Sequence, residues 1–126
     1  MKVKKITPVL LVEEIEPILP FWLDRLGFTR AIEVPGAEKL AFVAFQKDSV
    51  EVMYQTYESV EKEEGGHRGF VKGPTFLFVE VESLDETKKA MEGVPVKMAE
   101  RKTFYGSREF GVADPAGHLI TFAQFG

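Results

Sequence analysis

Apolar and polar positions run along this chain with two different periods, and the changes of period mark its elements. Lys4 to Val12 is mostly aliphatic and suits a strand covered on both faces. In EEIEPILPFWLDRLGF the apolar residues Ile15, Leu19, Trp22 and Leu26 recur at helical spacing, and Gly27 stands where a C-terminal cap belongs. Pro17 fits a first turn, whereas Pro20 would remove a hydrogen bond from a helix begun much earlier, so the pattern predicts a helix starting near Glu16. Trp22 lies on its apolar stripe and is expected in the core. The period then shortens to two: FTRAIEV, KLAFVAF and VEVMY, separated by the turns PGAE and QKDS, predict three strands in a meander.

A polar, glycine-bearing stretch, QTYESVEKEEGGHRGFVKG, reads as a linker with one or two helical turns around Ser59 to Glu63. After it the order repeats. PTFLFVEVE predicts a strand and SLDETKKAMEG a helix, with Ser83 as N-cap and Glu86 completing a capping box. VPVKMAERKT, SREFGVA and HLITFAQ predict three more strands, the last two joined by DPAG as a type I turn. The expected fold is therefore α+β: two βαβββ modules, about 1–55 and 74–126, joined by a linker of about 56–73 within a single domain. One helix covers only one face of a four-stranded sheet, so the two uncovered faces are expected to curl toward each other as a curved mixed sheet with an open cleft.

Side chains alternate between the faces of a strand, which sorts residues into a helix-covered set and a cleft set. Leu77, Val79 and Val81 form an aliphatic row, which leaves Phe76, Phe78 and Glu80 opposite; Val50, Val52 and Tyr54 likewise leave Glu51 and Met53. Thr7 and Val9 oppose Leu10 and Val12, and Leu119 and Thr121 oppose Ile120 and Phe122. The expected cleft floor is thus mostly apolar and aromatic with one carboxylate, which is how sites for small organic molecules are built. Phe45 with Trp22, and Phe104 with Tyr105, offer stacking surface near its mouth, and Arg108 offers a positive charge for a ligand or for an acid such as Glu109.

Charge and composition narrow the chemistry. Sixteen basic residues against 20 acidic ones give a net charge of -4 with no basic stripe, which argues against a nucleic-acid partner. The absence of cysteine removes disulfides, thiolate metal sites and thiol nucleophiles and is compatible with a reducing compartment. No apolar run is long enough to span a membrane and nothing resembles a cleavable leader, so the cytoplasm is the expected location. The two histidines, His67 and His118, lie too far apart for a ligand spacing and are expected to be surface or loop residues without catalytic duty.

The paired βαβββ order, PFWLDRLGF and REFGVADPAGHLITFAQ together resemble the vicinal oxygen chelate superfamily, which includes glyoxalase I, extradiol dioxygenases and bleomycin-resistance proteins. In metal-using members four strands each supply one ligand, commonly His or Glu. The resemblance carries those positions onto Thr7, Glu51, Phe76 and Thr121, of which only Glu51 is an ordinary ligand. It therefore implies no metal and no cofactor. The leading expectation is a metal-independent binding protein of the bleomycin-resistance type, holding a small organic ligand, cationic or aromatic, with Glu51 as its polar anchor paired to ligand or to an arginine such as Arg108. Ligand contacts are expected from Thr7, Phe45, Glu51, Met53, Phe76, Phe78, Phe104, Tyr105, Arg108 and Thr121. The alternative is a superfamily enzyme of lyase, isomerase or dioxygenase type, with Glu51 as general base or in an atypical metal site. A third reading is an interaction module with a filled cleft. A homodimer is expected, because superfamily modules pair within or between chains.

Overall fold

The computed structural model describes residues 1–126, which form two compact units, Met1–Lys72 and Gly73–Gly126. In the first, β1 (Val9–Val12), β2 (Thr29–Pro35), β3 (Leu40–Lys47) and β4 (Val50–Thr56) make one sheet in the order β1-β4-β3-β2. In the second, β5 (Phe76–Glu80), β6 (Val96–Lys102), β7 (Ser107–Ala113) and β8 (Leu119–Phe125) repeat that order as β5-β8-β7-β6. The first strand of each unit runs parallel to the last, and the other pairs are antiparallel. The repeated βαβββ order is thus present, and residues 56–72 of the linker group with the first unit.

Strand β1 is shorter than the aliphatic run Lys4–Val12. Pro8 has no N–H to give, and its carbonyl instead accepts from Met53 N at 3.0 Å just ahead of the strand. Residues 1–6 are exposed. The expected helix is present but irregular, a 3-10 turn at Glu16–Ile18 followed by a π-helical turn at Phe21–Arg25. Pro20 cannot donate to the Glu16 carbonyl, which accepts from Leu19 N instead, so the ladder is tight before the proline and loose after it. Gly27 ends the segment at φ 73°, a conformation in which glycine is unstrained.

The buried face of the first sheet packs under this segment. Trp22 Nε1 donates to the Tyr54 hydroxyl at 3.0 Å, and the Trp22 ring stacks on Phe45 at 6.1 Å between centroids. Phe45 is therefore corrected from the cleft mouth to the core, where it is 0% exposed. The cause is register: β3 pairs Phe45 with Val52 and Val43 with Tyr54, which sends Val43 and Phe45 to the covered face.

In the second unit α2 (Leu84–Ala90) starts at Ser83, whose Oγ accepts from Glu86 N at 3.1 Å, and it packs against β8, whose Ile120 and Phe122 are fully buried. A shorter helix, α1 (Tyr57–Lys62), is capped in the same way by Thr56 onto Ser59 N. The DPAG turn closes with Gly117 N donating to Asp114 O at 3.0 Å, while the Asp114 carboxylate accepts from Ala116 N and His118 N. His118 departs from expectation: it is buried, and its Nδ1 accepts from Thr75 N at 2.8 Å, tying the approach to β5 to the β7–β8 turn. His67 is exposed.

Candidate functional site

Burial alternates in the phase that the apolar rows predict. Leu10, Val12, Val52 and Tyr54 are buried, and Val9, Glu51 and Met53 face the uncovered side of the first sheet. Thr7 is half-buried just before β1, and continuing the Val9–Met53 pairing two residues back brings it level with Glu51. The Glu51 side chain is 13% exposed and accepts from Lys5 Nζ at 3.0 Å.

Lys5 thus takes the place considered for Arg108, which belongs to the second unit and faces elsewhere. Its guanidinium donates to Glu100 at 2.9 and 3.0 Å and to Asp85 at 3.1 Å. Asp85 belongs to α2, so Arg108 is corrected to the helix-covered face, one residue out of phase with the open one. Both of its acid partners are at the surface, where such pairs contribute little stability.

The uncovered face of the second sheet carries exposed aromatic rings. Phe76 and Phe78 are 73% and 56% exposed and pair in register with Leu119 and Thr121. Phe78 lies 6.3 Å from Phe125, Phe125 lies 6.3 Å from Tyr105, and Tyr105 meets Phe104 edge-on at 5.2 Å. Of the expected ligand contacts the structure brings Phe78, Phe104 and Tyr105 into one aromatic row, with Phe125 as a member that sequence reasoning did not single out.

Glu109 is the other residue missed. Its carboxylate is fully buried, accepting from the Tyr105 hydroxyl at 2.5 Å, Ser107 Oγ at 2.8 Å and the Arg101 guanidinium at 3.2 Å. Burial pushes its pKa up, but the hydrogen bonds from Tyr105, Ser107 and Arg101, with the Arg101 charge, outweigh burial and hold it below the ordinary value. The signal was present in SREFGVA: apolar Phe110 and Val112 belong under the helix, so Ser107, Glu109 and Gly111 belong on the open face.

At the four positions onto which the resemblance carries metal ligands, the residues present do not fit a transition metal. Phe76 has no donor atom, Thr7 and Thr121 offer only neutral hydroxyls, and the Glu51 carboxylate is engaged by an ammonium. No group of three or more His, Cys, Asp or Glu side chains converges in a way that could hold a metal ion. No helix is long and apolar enough to cross a membrane.

Residues 5–122 match the family model described as the Glyoxalase/Bleomycin resistance protein/Dioxygenase superfamily. No curated protein matches the chain. Among solved structures, TioX from Micromonospora sp. ML1 superposes with a TM-score of 0.81 at 15% identity, over 98% of this chain and 99% of that one. Lactoylglutathione lyase from Agrobacterium tumefaciens gives 0.80 at 17% identity, over 98% and 96%. The bleomycin-binding protein of Streptomyces verticillus, solved with copper(II)-bleomycin, gives 0.67 at 20% identity, over 100% and 98%. At these identities the likeness establishes the fold, which an enzyme and a binding protein share.

Proposed function

The chain belongs to the glyoxalase/bleomycin resistance protein/dioxygenase superfamily, and from that premise we propose that it is a metal-independent binding protein for a small organic molecule, of the bleomycin-resistance type. The observation that carries this reading is the donor chemistry of the four inherited positions, where Thr7, Phe76 and Thr121 stand and Glu51 is already paired with Lys5. What remains on the uncovered faces is contact surface: Met53 beside Glu51 in the first unit, and the row from Phe78 to Phe104 in the second. An enzymatic role with Glu51 as base draws no comparable support, because that carboxylate would first have to release Lys5.

The test is metal analysis of the purified protein with thermal titrations in nickel, zinc, manganese and iron(II), followed by a screen of organic compounds. The expected result is no bound metal and no rise in Tm with any of the four ions. Organic ligands present at about 100 times their Kd should stabilise the fold by about 2.7 kcal/mol. One tightly bound equivalent of metal that raises Tm would overturn the metal-independent reading.

A homodimer belongs to the same proposal. Each unit leaves apolar side chains exposed, Val9, Ile32 and Val34 in the first and Phe76, Phe78 and Phe125 in the second, which association would cover. Light scattering at micromolar concentration is expected to give twice the chain mass of 14.2 kDa. A mass of one chain would remove this part of the proposal.

A further inference from the structure

The β6–β7 hairpin holds an aromatic ring and a positive charge on one buried acid. Its loop is closed by hydrogen bonds: Thr103 N donates to Ser107 O at 2.8 Å, Thr103 Oγ1 and Ser107 Oγ lie 2.8 Å apart, and Gly106 takes φ 95° at the turn. Beneath the loop the Glu109 carboxylate accepts from the Tyr105 hydroxyl through one oxygen and from Arg101 Nη2 through the other. Because both oxygens belong to one carboxyl group, the ring and the guanidinium stand side by side. A surface held in this way loses less ordering entropy when a ligand covers it.

The charge that the hairpin shows to solvent is positive. The Glu109 side chain is 1% exposed and that of Arg101 is 55% exposed. Arg101 engages the acid through Nη2 alone, so one edge of its planar fork stays open, and that fork matches a carboxylate with two parallel hydrogen bonds. The first unit repeats the arrangement with Glu51 turned inward and Lys5 half exposed. In neither unit is the buried carboxylate left for a cationic group.

Glu80 also faces this side of the second sheet, on β5. In register Ala123 and Glu109 lie between it and Arg101, which puts it three strand spacings away, about 14 Å. Exposed charges that far apart are largely screened at physiological ionic strength, where the Debye length is about 8 Å. The surface nearest Arg101 is aromatic. Tyr105 and Phe125 are nearly half exposed and Phe104 is fully exposed, with ring centroids 5.2 Å from Tyr105 to Phe104 and 6.3 Å from Tyr105 to Phe125. A planar ring laid against Tyr105 brings a carboxylate attached to it within reach of Arg101.

We propose that this hairpin binds an aromatic carboxylate, with its ring on Tyr105 and the neighbouring phenylalanines and its anionic group on the open edge of Arg101. The inference rests on the ligand-binding reading above and gives the ligand a place and a negative charge, the sign opposite to the cationic option expected from the sequence.

2-Naphthoate is the probe, 2-naphthamide its uncharged control and 2-naphthylmethylammonium the cation, each titrated into the whole chain and followed by amide chemical shifts. The expected result is that 2-naphthoate shifts Arg101, Tyr105 and Phe125, that the amide binds the same place about tenfold more weakly, and that the cation does not bind there. Arg101→Gln should weaken 2-naphthoate about tenfold and leave 2-naphthamide unchanged, which separates a contact with the carboxylate from an effect passed through Glu109 to Tyr105. Equal loss for both compounds, or no loss for the acid, would overturn the assignment. Phe104→Ala, at a ring exposed to solvent, is expected to keep the fold and to weaken both compounds alike; unchanged affinity for both would take the ligand off the hairpin and overturn it as well. So would binding of the cation as tight as that of the acid. Shifts confined to Val9 and Met53, or no binding of 2-naphthoate while other compounds of the organic screen bind, would overturn it and leave the ligand-binding reading standing. Failure of that reading would be distinct: no compound would bind anywhere on the protein.

Discussion

Phe45→Ala is expected to lower folding stability by about 3 to 5 kcal/mol, read as a fall in the urea midpoint with little change in slope. The ring is wholly buried, stacked on Trp22 at 6.1 Å and set edge-on to Tyr54 at 5.9 Å. Truncation removes the ring's transfer free energy and opens a cavity that the neighbouring aromatics can only partly fill. The Trp22–Tyr54 hydrogen bond, which links the helical segment to β4, would lose the ring packed beside it. Phe78→Ala is the contrast. That ring is more than half exposed, so its loss should leave stability within about 0.5 kcal/mol and act on ligand affinity instead. If Phe45→Ala proved nearly as stable as the parent while ligand binding fell, the placement of Phe45 in the core would be wrong.

Phe45 also marks where the sequence stops being legible. Rows such as Leu77 and Val79 against Phe76 and Phe78 carry their own phase, because one face is aliphatic and the other is not. KLAFVAF is apolar on both faces and carries none. Its phase comes from pairing with β4, a tertiary fact. DPAG and the Ser83 cap were readable because each depends on neighbours within four residues. His118 was not, since its burial depends on Thr75, 43 residues away. The prolines announced a disturbed helix, but not that it would tighten before Pro20 and loosen after it.

The candidate site divides along the same line. The open-face placement of Glu51, Met53, Phe76 and Phe78 was legible in the alternation of each strand. The partner of Glu51 was not, because Lys5 precedes β1 and reaches it only through the parallel pairing of β1 with β4. Arg101 meets Glu109 across two register shifts between β6 and β7, and no local pattern encodes an irregularity of that kind. Hydrophobic alternation tells which way a side chain points; which side chain it meets depends on register, set by the whole sheet.

Glu109→Ala is expected to cost about 3 kcal/mol at neutral pH, because one fully buried carboxylate accepts three hydrogen bonds, one of them from a guanidinium. The loss should stay near the low end for a broken buried ion pair: Arg101 is more than half exposed and can return to water, and Ser107 keeps Thr103 at 2.8 Å. Glu109→Gln should cost about 1 to 2 kcal/mol, since an amide oxygen can serve Arg101 while its NH2 donates to the two hydroxyls. The pH dependence has a definite sign. Because the folded carboxyl titrates below its ordinary value of 4.5, its stabilisation is fully present above that pH and is lost as pH falls through the folded pKa. The stability gap between the parent and Glu109→Gln should therefore narrow on acidification below about 4.5. A gap independent of pH, or a loss under about 0.5 kcal/mol for Glu109→Ala, would contradict an ionised, fully bonded carboxylate. The consequence reaches the open face, because the hydroxyl that Glu109 holds belongs to Tyr105, which joins Phe104 to Phe125. Freed of that bond, Tyr105 should gain rotamer freedom, and any ligand that stacks on the row should bind Glu109→Ala more weakly than the parent although Glu109 never touches it.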